Sequence, residues 1–318
     1  MTFGWEIRAR VQFEGDAHVM EDACGFHGPD AWVIDGATPL LEPLGLPAAS
    51  DPQWLAQALS MVLAGPCTDP ARSGVRARLA SALAAVDAAA TPLVGAERIR
   101  FPSAAVSVAQ LNHDGVEVAS LADCTVVVRT DDGATHLVRA GDADAAVDDV
   151  MGSSPEDGTR PPAVELGPTA GRGPLRAREQ WERRGSGTQG SQAPGTPPPA
   201  GRTDRARLLM LDRERRNTPG NLWVARREPE AADHAHVVQL GRPELMVMAT
   251  DGAWRAVDLG LVSGPEEFLE RTKTTLDALA LMHELRSRQA EIGEVSDDAA
   301  VLTLAPAPEP VPAPPARP

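Results

Sequence analysis

Five aspartates at the edges of short apolar runs are the strongest feature of this sequence. They are Asp22 in VMEDA, Asp35 in AWVIDGAT, Asp123 in VASLADCTVVV, Asp251 in LMVMATDGAW and Asp297 in EVSDDAAVLTL. A carboxylate at the end of a buried strand is held rigidly and can still face a ligand. Several such carboxylates, brought together from distant parts of one chain, make an all-oxygen site for hard divalent cations such as Mg²⁺ or Mn²⁺. The pattern therefore predicts a divalent metal site.

The Asp-Gly steps of the chain fall into two kinds, because Asp-Gly is also the commonest signal of a hairpin turn. Asp114-Gly115 and Asp132-Gly133 each have a strand-like run on both sides, and we interpret them as plain turns. Asp157-Gly158 lies in polar, Pro-rich sequence that is typical of a loop. Asp35-Gly36 and Asp251-Gly252 follow dense apolar runs with no partner strand directly after them, so we predict that they are site residues.

Size and charge exclude several classes of function. The 318 residues, of which 42% are hydrophobic, can bury one sizeable core or two small ones. A net charge of −15 argues against binding to nucleic acid or to an anionic membrane, because both need a cationic surface. We find no segment that approaches a membrane span and no apolar signal core at the N-terminus. The three cysteines lack CxxC spacing, which favours a reducing cytoplasm over a disulfide framework or a zinc cluster. A monomer is favoured.

Hydrophobic spacing predicts both helices and strands. Helical spacing covers Asp51–Ala64, with Asp51 as N-cap, and an Ala-rich second helix covers Ala71–Ala90. The runs AAVSVAQL, VEVASLA, TVVVRT and THLVRA predict an antiparallel meander, and NLWVARR predicts a further strand. A capping box that begins at Ser263 predicts one long helix over Glu266–Glu291, and VLTL is the last strand. We interpret the Arg-rich segment Arg205–Arg216 as a solvated amphipathic helix rather than a cationic face for a phosphorylated peptide.

Strands in several groups together with two or three long helices predict an α+β fold: two mostly antiparallel sheets packed as a sandwich, with helices outside. We expect one domain made of residues 1–150 and 203–305. Residues 151–202 are rich in Pro, Gly and Ser, cannot bury enough apolar surface to offset chain entropy, and predict a flexible insertion. Residues 306–318 predict a Pro-rich, disordered tail.

The order of the motifs resembles that of the metal-dependent serine/threonine protein phosphatases of type 2C. The pieces that carry the resemblance are EDA near the N-terminus, VIDG, SLAD before VVVR, MATDGAW and SDDAAVLTL. No single piece is specific, whereas the ordered set of five is distinctive and covers most of the chain outside its middle and tail. The fold that this family has, with metals held at one edge between two sheets, agrees with the fold predicted from the strand and helix pattern.

The resemblance implies a role for each carboxylate. Asp35 would bridge two metals, and Gly36 would give its backbone carbonyl to one of them. Asp251 and Asp297 would complete the second metal, and Glu21 and Asp22 would bind through metal-held waters. Asp123 would help to hold a weaker third metal. Asp35 and Asp251 are the carboxylates that we assign to catalysis, and Cys124, beside Asp123, is interpreted as a small apolar strand residue rather than a nucleophile.

The sequence departs from the family pattern around the substrate phosphate. The position of the usual phosphate-binding arginine is Ala17, followed by His18, and Ala37 stands where eukaryotic members often carry a histidine general acid. His18 is the candidate to take over one of these roles, although a structural histidine is the favoured interpretation. The pattern for metal ligation is intact, while phosphate binding and leaving-group protonation lack their usual residues.

The implied function is a Mg²⁺- or Mn²⁺-dependent phosphatase that acts on phosphoserine or phosphothreonine in proteins, with a metal-activated water as nucleophile. The 151–202 insertion falls where the family has its variable flap next to the active site. Two alternatives stay open: a weakly active or inactive relative that serves as a binding or scaffold protein, and a phosphomonoesterase for small molecules. A free, phosphate-contacting arginine near Asp35 in the fold would favour the enzyme, and a pocket filled by Thr38, Pro39 and Leu40 would favour the scaffold.

Overall fold

A computed structural model of the chain describes residues 4–37, 41–66, 74–140 and 210–307. In these ranges the chain forms two five-stranded antiparallel sheets. Sheet A has the strand order β1-β10-β9-β6-β7, made of Trp5–Phe13, Ala299–Pro306, Pro243–Ala249, Thr125–Thr130 and Thr135–Val138. Sheet B has the order β2-β3-β4-β5-β8, made of Asp22–His27, Asp30–Gly36, Ala104–Asn112, Gly115–Leu121 and His236–Leu240. The predicted α+β sandwich is confirmed.

Three hydrophobic cores follow from the alternation of side chains along the strands. The middle core lies between the sheets and joins Val33 and Ala105 of sheet B to Val126 and Met248 of sheet A. A second core packs sheet B against α1 (Asp51–Ala64) and α2 (Val75–Val94). The third packs sheet A against α3 (Asp251–Asp258), α4 (Pro265–Arg271) and α5 (Thr275–Glu291). Apolar residues on both faces of each sheet therefore give a four-layer arrangement of helices, sheet, sheet and helices.

The predicted four-strand meander is wrong. Its two hairpins form as predicted, with turns at Asp114-Gly115 and Asp132-Gly133, but β4 and β5 pair in sheet B while β6 and β7 pair in sheet A. The chain crosses between the sheets at Leu121–Cys124, where Ala122 has a φ of 59°. Hydrophobic alternation is the same whichever sheet a strand joins, so the local pattern did not distinguish the two arrangements.

The single long helix predicted over Glu266–Glu291 is also wrong, because the chain there forms α4 and α5. Thr274 caps the second helix, since its Oγ1 accepts a hydrogen bond from the backbone N–H of Asp277 at 3.2 Å. At the start of α4, the side chain that receives the bonds of Ser263 is Glu267, one residue after the predicted Glu266. NLWVARR is not a strand: only an isolated bridge joins Ala225 to Ala104 in the described part of the chain.

Two further expectations for the helices need correction. Asp51 is the first residue of α1 rather than its cap; Ser50 is the N-cap, and its side chain accepts from the N–H of Gln53. By length and composition α2 could cross a membrane, contrary to our expectation that no segment approaches a span. In the fold, however, α2 packs Leu79 and Leu83 into the core below sheet B. Packing of this kind accounts for its apolar face.

The domain boundaries stay a prediction. The Asp157-Gly158 step, the 151–202 insertion and most of the 306–318 tail lie outside the described residues.

Candidate active site

Two of the predicted carboxylates lie side by side at one edge of sheet B. Asp22 of β2 pairs directly with Asp35 of β3, and Asp35 pairs in turn with Ala105 of β4. Paired residues of antiparallel strands project to the same face, which here is the face of Cys24 and Val33 in the core between the sheets. Both aspartates are buried, and so are all four of their carboxylate oxygens.

The other three aspartates meet at one edge of sheet A. Thr125 at the start of β6 and Val301 near the start of β10 both pair with Ala249, the last residue of β9. Asp123 and Asp251 therefore each lie two residues beyond this row, and Asp297 lies just before β10. Thr250, directly after β9, makes two hydrogen bonds to Ala300 of β10. Its hydroxyl accepts from the N–H of Ala300 at 2.9 Å, and its own N–H donates to the carbonyl of Ala300 at 3.1 Å.

The crossover at Leu121–Cys124 brings the two edges together, since β5 ends in sheet B and β6 starts in sheet A. Cys124 lies at the centre of this junction and is completely buried. Burial raises the pKa of its thiol well above the ordinary value, and the charges of Asp123, Asp22 and Asp251 raise it further. Carboxylates from both sheets are thus close enough to act on one thiol. Cys124 is packed in the core as predicted, but it lies directly before β6 rather than within a strand.

The loop before β2 carries Glu21 and is held against the start of β10. Asp298 accepts hydrogen bonds from the backbone N–H groups of Gly15 at 2.7 Å and Glu21 at 2.6 Å. The Glu21 carboxylate accepts from the hydroxyl of Ser50, the N-cap of α1, at 2.6 Å. Its backbone carbonyl accepts the N–H of Gly36 at 3.1 Å. The ED step is therefore fixed to both sheets and to a helix, and sequence reasoning missed Asp298 because Asp297 alone matched the motif.

Gly36 marks a close approach of two backbones. A Cβ at this position would lie 2.4 Å from the carbonyl oxygen of Glu21, a distance at which the backbones would have to move apart.

Arg286 of α5 contacts the segment that carries Asp297, since it donates to the backbone carbonyl of Asp297 at 2.6 Å. Burial lowers the pKa of Arg286, while the nearby charges of Asp297, Asp16 and Asp298 raise it.

The predicted carboxylates lie at one edge of the structure, but they do not surround a common centre. Within the described residues, no group of three or more His, Cys, Asp or Glu side chains is arranged so as to hold a metal ion. Ala17 and His18 lie on an exposed turn, and His18 has a φ of 54°. The assignment of the carboxylates to metals and of His18 to the substrate phosphate stays a prediction.

The interpretation of the Arg-rich segment as solvated is wrong for two of its residues. Helical structure is described at residues 210–215, and Arg213 and Arg216 are buried rather than exposed. Both donate to the hydroxyl of Ser103, at 3.1 and 2.7 Å. The backbone carbonyl of Ser103 accepts the N–H of Ala37, two residues after Asp35. The sequence carried no signal for this contact, because Ser103 and the arginines are more than 100 residues apart.

Comparison with solved structures identifies the fold. The catalytic domain of the serine/threonine protein phosphatase PstP, in complex with two manganese ions, superposes with a TM-score of 0.51 and 14% identity, over 96% of this chain and 100% of that one. A PstP/Ppp structure from Mycobacterium tuberculosis gives 0.49 and 13% identity, covering 96% and 99%. Stp1 from Staphylococcus aureus gives 0.46 and 10%, covering 96% and 97%. No protein-family profile and no curated protein matches the sequence. The chain therefore has the fold of the bacterial serine/threonine phosphatases of type 2C, as the ordered aspartate motifs indicated.

Proposed function

We propose that this protein is a Mn²⁺- or Mg²⁺-dependent phosphatase that hydrolyses phosphoserine or phosphothreonine in proteins. The observation that carries the proposal is that carboxylates at strand ends of both sheets lie at one edge of a type 2C fold, with Asp22, Asp35 and Asp297 buried. A solved structure with this fold is a serine/threonine phosphatase in complex with two manganese ions. One line of support comes from the chain's own strand register, and the other from the likeness of its fold to that of a solved phosphatase.

The donor set has the chemistry that a hard divalent cation requires, because every predicted ligand is a carboxylate or carbonyl oxygen. Asp35 would hold both ions, and the carbonyl of Gly36 would hold one of them. Asp251 and Asp297 would complete the second, and Glu21 and Asp22 would bind through metal-held waters. When bound, such a pair supplies an activated water and neutralises charge on the phosphoryl oxygens. We expect the carboxylates to move inwards on binding, since no three of them surround one point among the described residues.

The protein's own groups would orient the reaction. The paired strands β2 and β3 hold Asp22 and Asp35 at fixed separation, and the tether from Asp298 to Glu21 holds the adjoining loop. Neither buried cysteine of the site serves as a nucleophile, because burial raises the pKa of Cys24 to about 11 and that of Cys124 well above its ordinary value. A thiol with so high a pKa stays protonated at neutral pH and is inert.

The arginines near Asp35 bear on the choice between the enzyme and the scaffold alternative. Arg213 and Arg216 reach Ser103, which is bonded to the residue two positions after Asp35. A free, phosphate-contacting arginine near Asp35 is the feature that we expected of an active enzyme. Arg213 and Arg216 are buried and hydrogen-bonded to Ser103, so that feature stays a prediction. The competing indicator, a pocket filled by Thr38, Pro39 and Leu40, lies outside the described residues.

The first experiment measures hydrolysis of p-nitrophenyl phosphate and of a phosphothreonine peptide with Mn²⁺, with Mg²⁺ and with EDTA. We expect turnover only with metal, and we expect Asp35→Asn to lower kcat/KM by about 100-fold or more, because it removes charge at the reacting centre. Asp114→Asn is the matched control: it changes the aspartate of an exposed Asp-Gly hairpin turn, so its activity should equal that of the wild type.

Each outcome decides between the alternatives. Metal-dependent turnover of the peptide that disappears in Asp35→Asn supports the proposed function. Turnover of sugar phosphates or nucleotides without turnover of the peptide would favour the small-molecule phosphomonoesterase. A folded protein that binds Mn²⁺ through Asp35 and hydrolyses neither substrate would be the scaffold, and the proposal would be wrong.

A further inference from the structure

Three arginines form a buried cluster beside the carboxylate edge, and we call Arg213, Arg216 and Arg226 the arginine cluster. Arg213 and Arg216 donate to Ser103 Oγ, and Arg226 Nη1 donates to the backbone carbonyl of Arg213 at 3.2 Å. All three are at most 3% exposed. Arginine is rarely buried to this degree unless it is paired, so the cluster requires a physical account.

Strand register places the cluster on the same face as the predicted metal ligands. Asp35 pairs with Ala105, so Ser103, two residues earlier on the same chain segment, projects to the face of Asp35. Diagonal neighbours of this kind lie about 7–8 Å apart. On the other side, Ala104 bridges to Ala225, which brings Arg226 opposite Ser103. The guanidinium groups of Arg213 and Arg216 therefore contact a residue that is a diagonal neighbour of Asp35.

The hydrogen-bonding capacity of the cluster is incompletely used. Among the described residues, Arg226 Nη2 and Arg216 Nε are buried and meet no hydrogen-bond acceptor. The nearest carboxylate to Arg226 is that of Glu228, at 3.9 Å. Glu228 already accepts from Arg98 at 3.0 Å and from Asn217 at 3.1 Å. Arg226 thus shares a carboxylate that two other donors hold more closely.

The positive charge of Arg226 is therefore only partly balanced by the carboxylate of Glu228. Its pKa falls to about 10, first because of burial, and Arg216, Arg98 and Arg227 lower it while Glu228 raises it. A buried guanidinium with an unused donor is costly, and a bound anion is one of the few partners that satisfy both its charge and its geometry. The guanidinium fork matches the oxygens of a phosphoryl group, which it can bind in a bidentate manner.

We propose that the arginine cluster binds a phosphoryl oxyanion next to Asp35 and replaces the arginine that is absent at Ala17. This inference rests on the proposed function and deepens it, since it names the residues that hold the substrate phosphate. The same chemistry is supplied by two sources, the phosphoryl group of a phosphopeptide and the inorganic phosphate released from it. The experiments below distinguish these sources.

The first test measures the binding of inorganic phosphate to the metal-free full chain in EDTA, by isothermal titration calorimetry and ³¹P NMR. Without metal the acidic edge repels phosphate, so binding reports on the arginines. We expect Arg226→Met and Arg216→Met to weaken phosphate binding by roughly ten-fold or more, because each removes a charged hydrogen-bond donor. Arg100→Met is the control, because Arg100 is an exposed residue paired with Glu97, and its affinity should be unchanged.

The second test uses the metal-loaded enzyme and separates the two sources of the anion. Binding of the substrate's phosphoryl group predicts that Arg216→Met raises KM for the phosphothreonine peptide more than it lowers kcat. If the cluster binds only the product, Arg216→Met should leave KM unchanged and should raise the inhibition constant of inorganic phosphate. The latter result would keep the anion site but overturn its role in holding the substrate.

Two further outcomes keep this proposal separate from the proposed function. If phosphate binding depends on Arg226 in a protein that hydrolyses nothing, the anion site stands and the enzyme assignment fails. If both Met variants hydrolyse the peptide normally and bind phosphate as tightly as the wild type does, the cluster is only structural and the inference fails. Should Arg226→Met not fold, the wild type still decides: phosphate must raise Tm above that in chloride at equal ionic strength, and an equal Tm would overturn the site.

Discussion

Asp297 and Asp298 are adjacent in sequence and make different contacts. Asp298 directs both carboxylate oxygens to backbone N–H groups of the loop that leads to β2, those of Gly15 and Glu21. Asp297 caps the N–H of Asp298 at 2.9 Å, and its carboxylate lies at the site edge. A motif match selects one aspartate of such a pair, whereas the structure gives a position to each: one aspartate lies at the site, and the other tethers the loop that completes it.

The tether can be tested by changing Asp298. We expect Asp298→Ala to lower the free energy of unfolding by about 2–4 kcal/mol, because two buried N–H donors lose a charged acceptor. Asp298→Asn retains one acceptor and should lose about half as much. The measurement is urea denaturation of the metal-free protein. If Asp298→Ala were as stable as the wild type, the loop would have to be held by other contacts.

Mn²⁺ affinity provides a second readout for the same variants. Because Asp298 holds Glu21 in place, Asp298→Ala should also weaken Mn²⁺ binding, even at temperatures where the variant is fully folded. Unchanged affinity in a destabilised variant would restrict the role of Asp298 to folding.

Helix boundaries show why local patterns mislead at the scale of elements. Hydrophobic spacing continues from α4 into α5, and the sequence between them contains neither Gly nor Pro. The chain nevertheless breaks at Thr272–Thr274, where the hydroxyl of Thr272 bonds back to the carbonyl of Phe268 at 2.8 Å. Thr274 then donates to the carboxylate of Asp277 at 2.6 Å and caps the next helix. Side-chain capping of this kind competes with helix continuation, and tertiary packing decides the outcome.

Replacement of Thr274 distinguishes one helix from two. In the structure Thr274 is an N-cap, so Thr274→Ala should destabilise the protein by about 1 kcal/mol. In a continuous helix the same change would be stabilising, because alanine has the higher helix propensity. Thr275→Ala is the control at an exposed position inside α5 and should change the stability by less than about 0.5 kcal/mol. Chemical denaturation of the three proteins gives the answer.

At the scale of the whole molecule, the predicted site takes its residues from both sheets, at the edge where the chain crosses between them. Sheet B supplies Asp22 and Asp35. Asp251 begins α3 just after β9 of sheet A, Asp297 lies just before β10 of sheet A, and the crossover between the sheets carries Asp123. A cation held jointly would connect strands that are otherwise joined through an apolar core. Metal binding should therefore stabilise the domain as a unit.

The stabilisation by metal follows from mass action. At a Mn²⁺ concentration 100-fold above Kd, the free energy of unfolding should rise by about 2.7 kcal/mol. Asp22→Asn in sheet B and Asp251→Asn at the start of α3 should each reduce this gain, and EDTA should abolish it. Thermal unfolding with and without Mn²⁺ measures the effect. A gain that persisted in both variants would place the bound metal elsewhere.

Much of the architecture was predictable because it depends on local chemistry. Alternation and turn residues located the hairpins at Asp114 and Asp132, and apolar runs located the strands that end near Asp35 and Asp251. The ordered motifs also indicated the type 2C fold. The hairpins and strands require only that a residue's own side chain and its near neighbours in sequence set the backbone conformation and the buried face, whereas the type 2C fold was indicated by resemblance to a known family.

Other features were decided only by tertiary structure. The division of the four middle strands between two sheets, the tether from Asp298 to Gly15, and the contact of Arg213 and Arg216 with Ser103 all join residues that are far apart in the chain. Strand partners and buried ion contacts depend on which surfaces pack together, and many pairings satisfy the same local pattern. The sequence by itself therefore determined where the carboxylates stand along the chain relative to the apolar runs, and tertiary packing determined which distant residues lie next to one another.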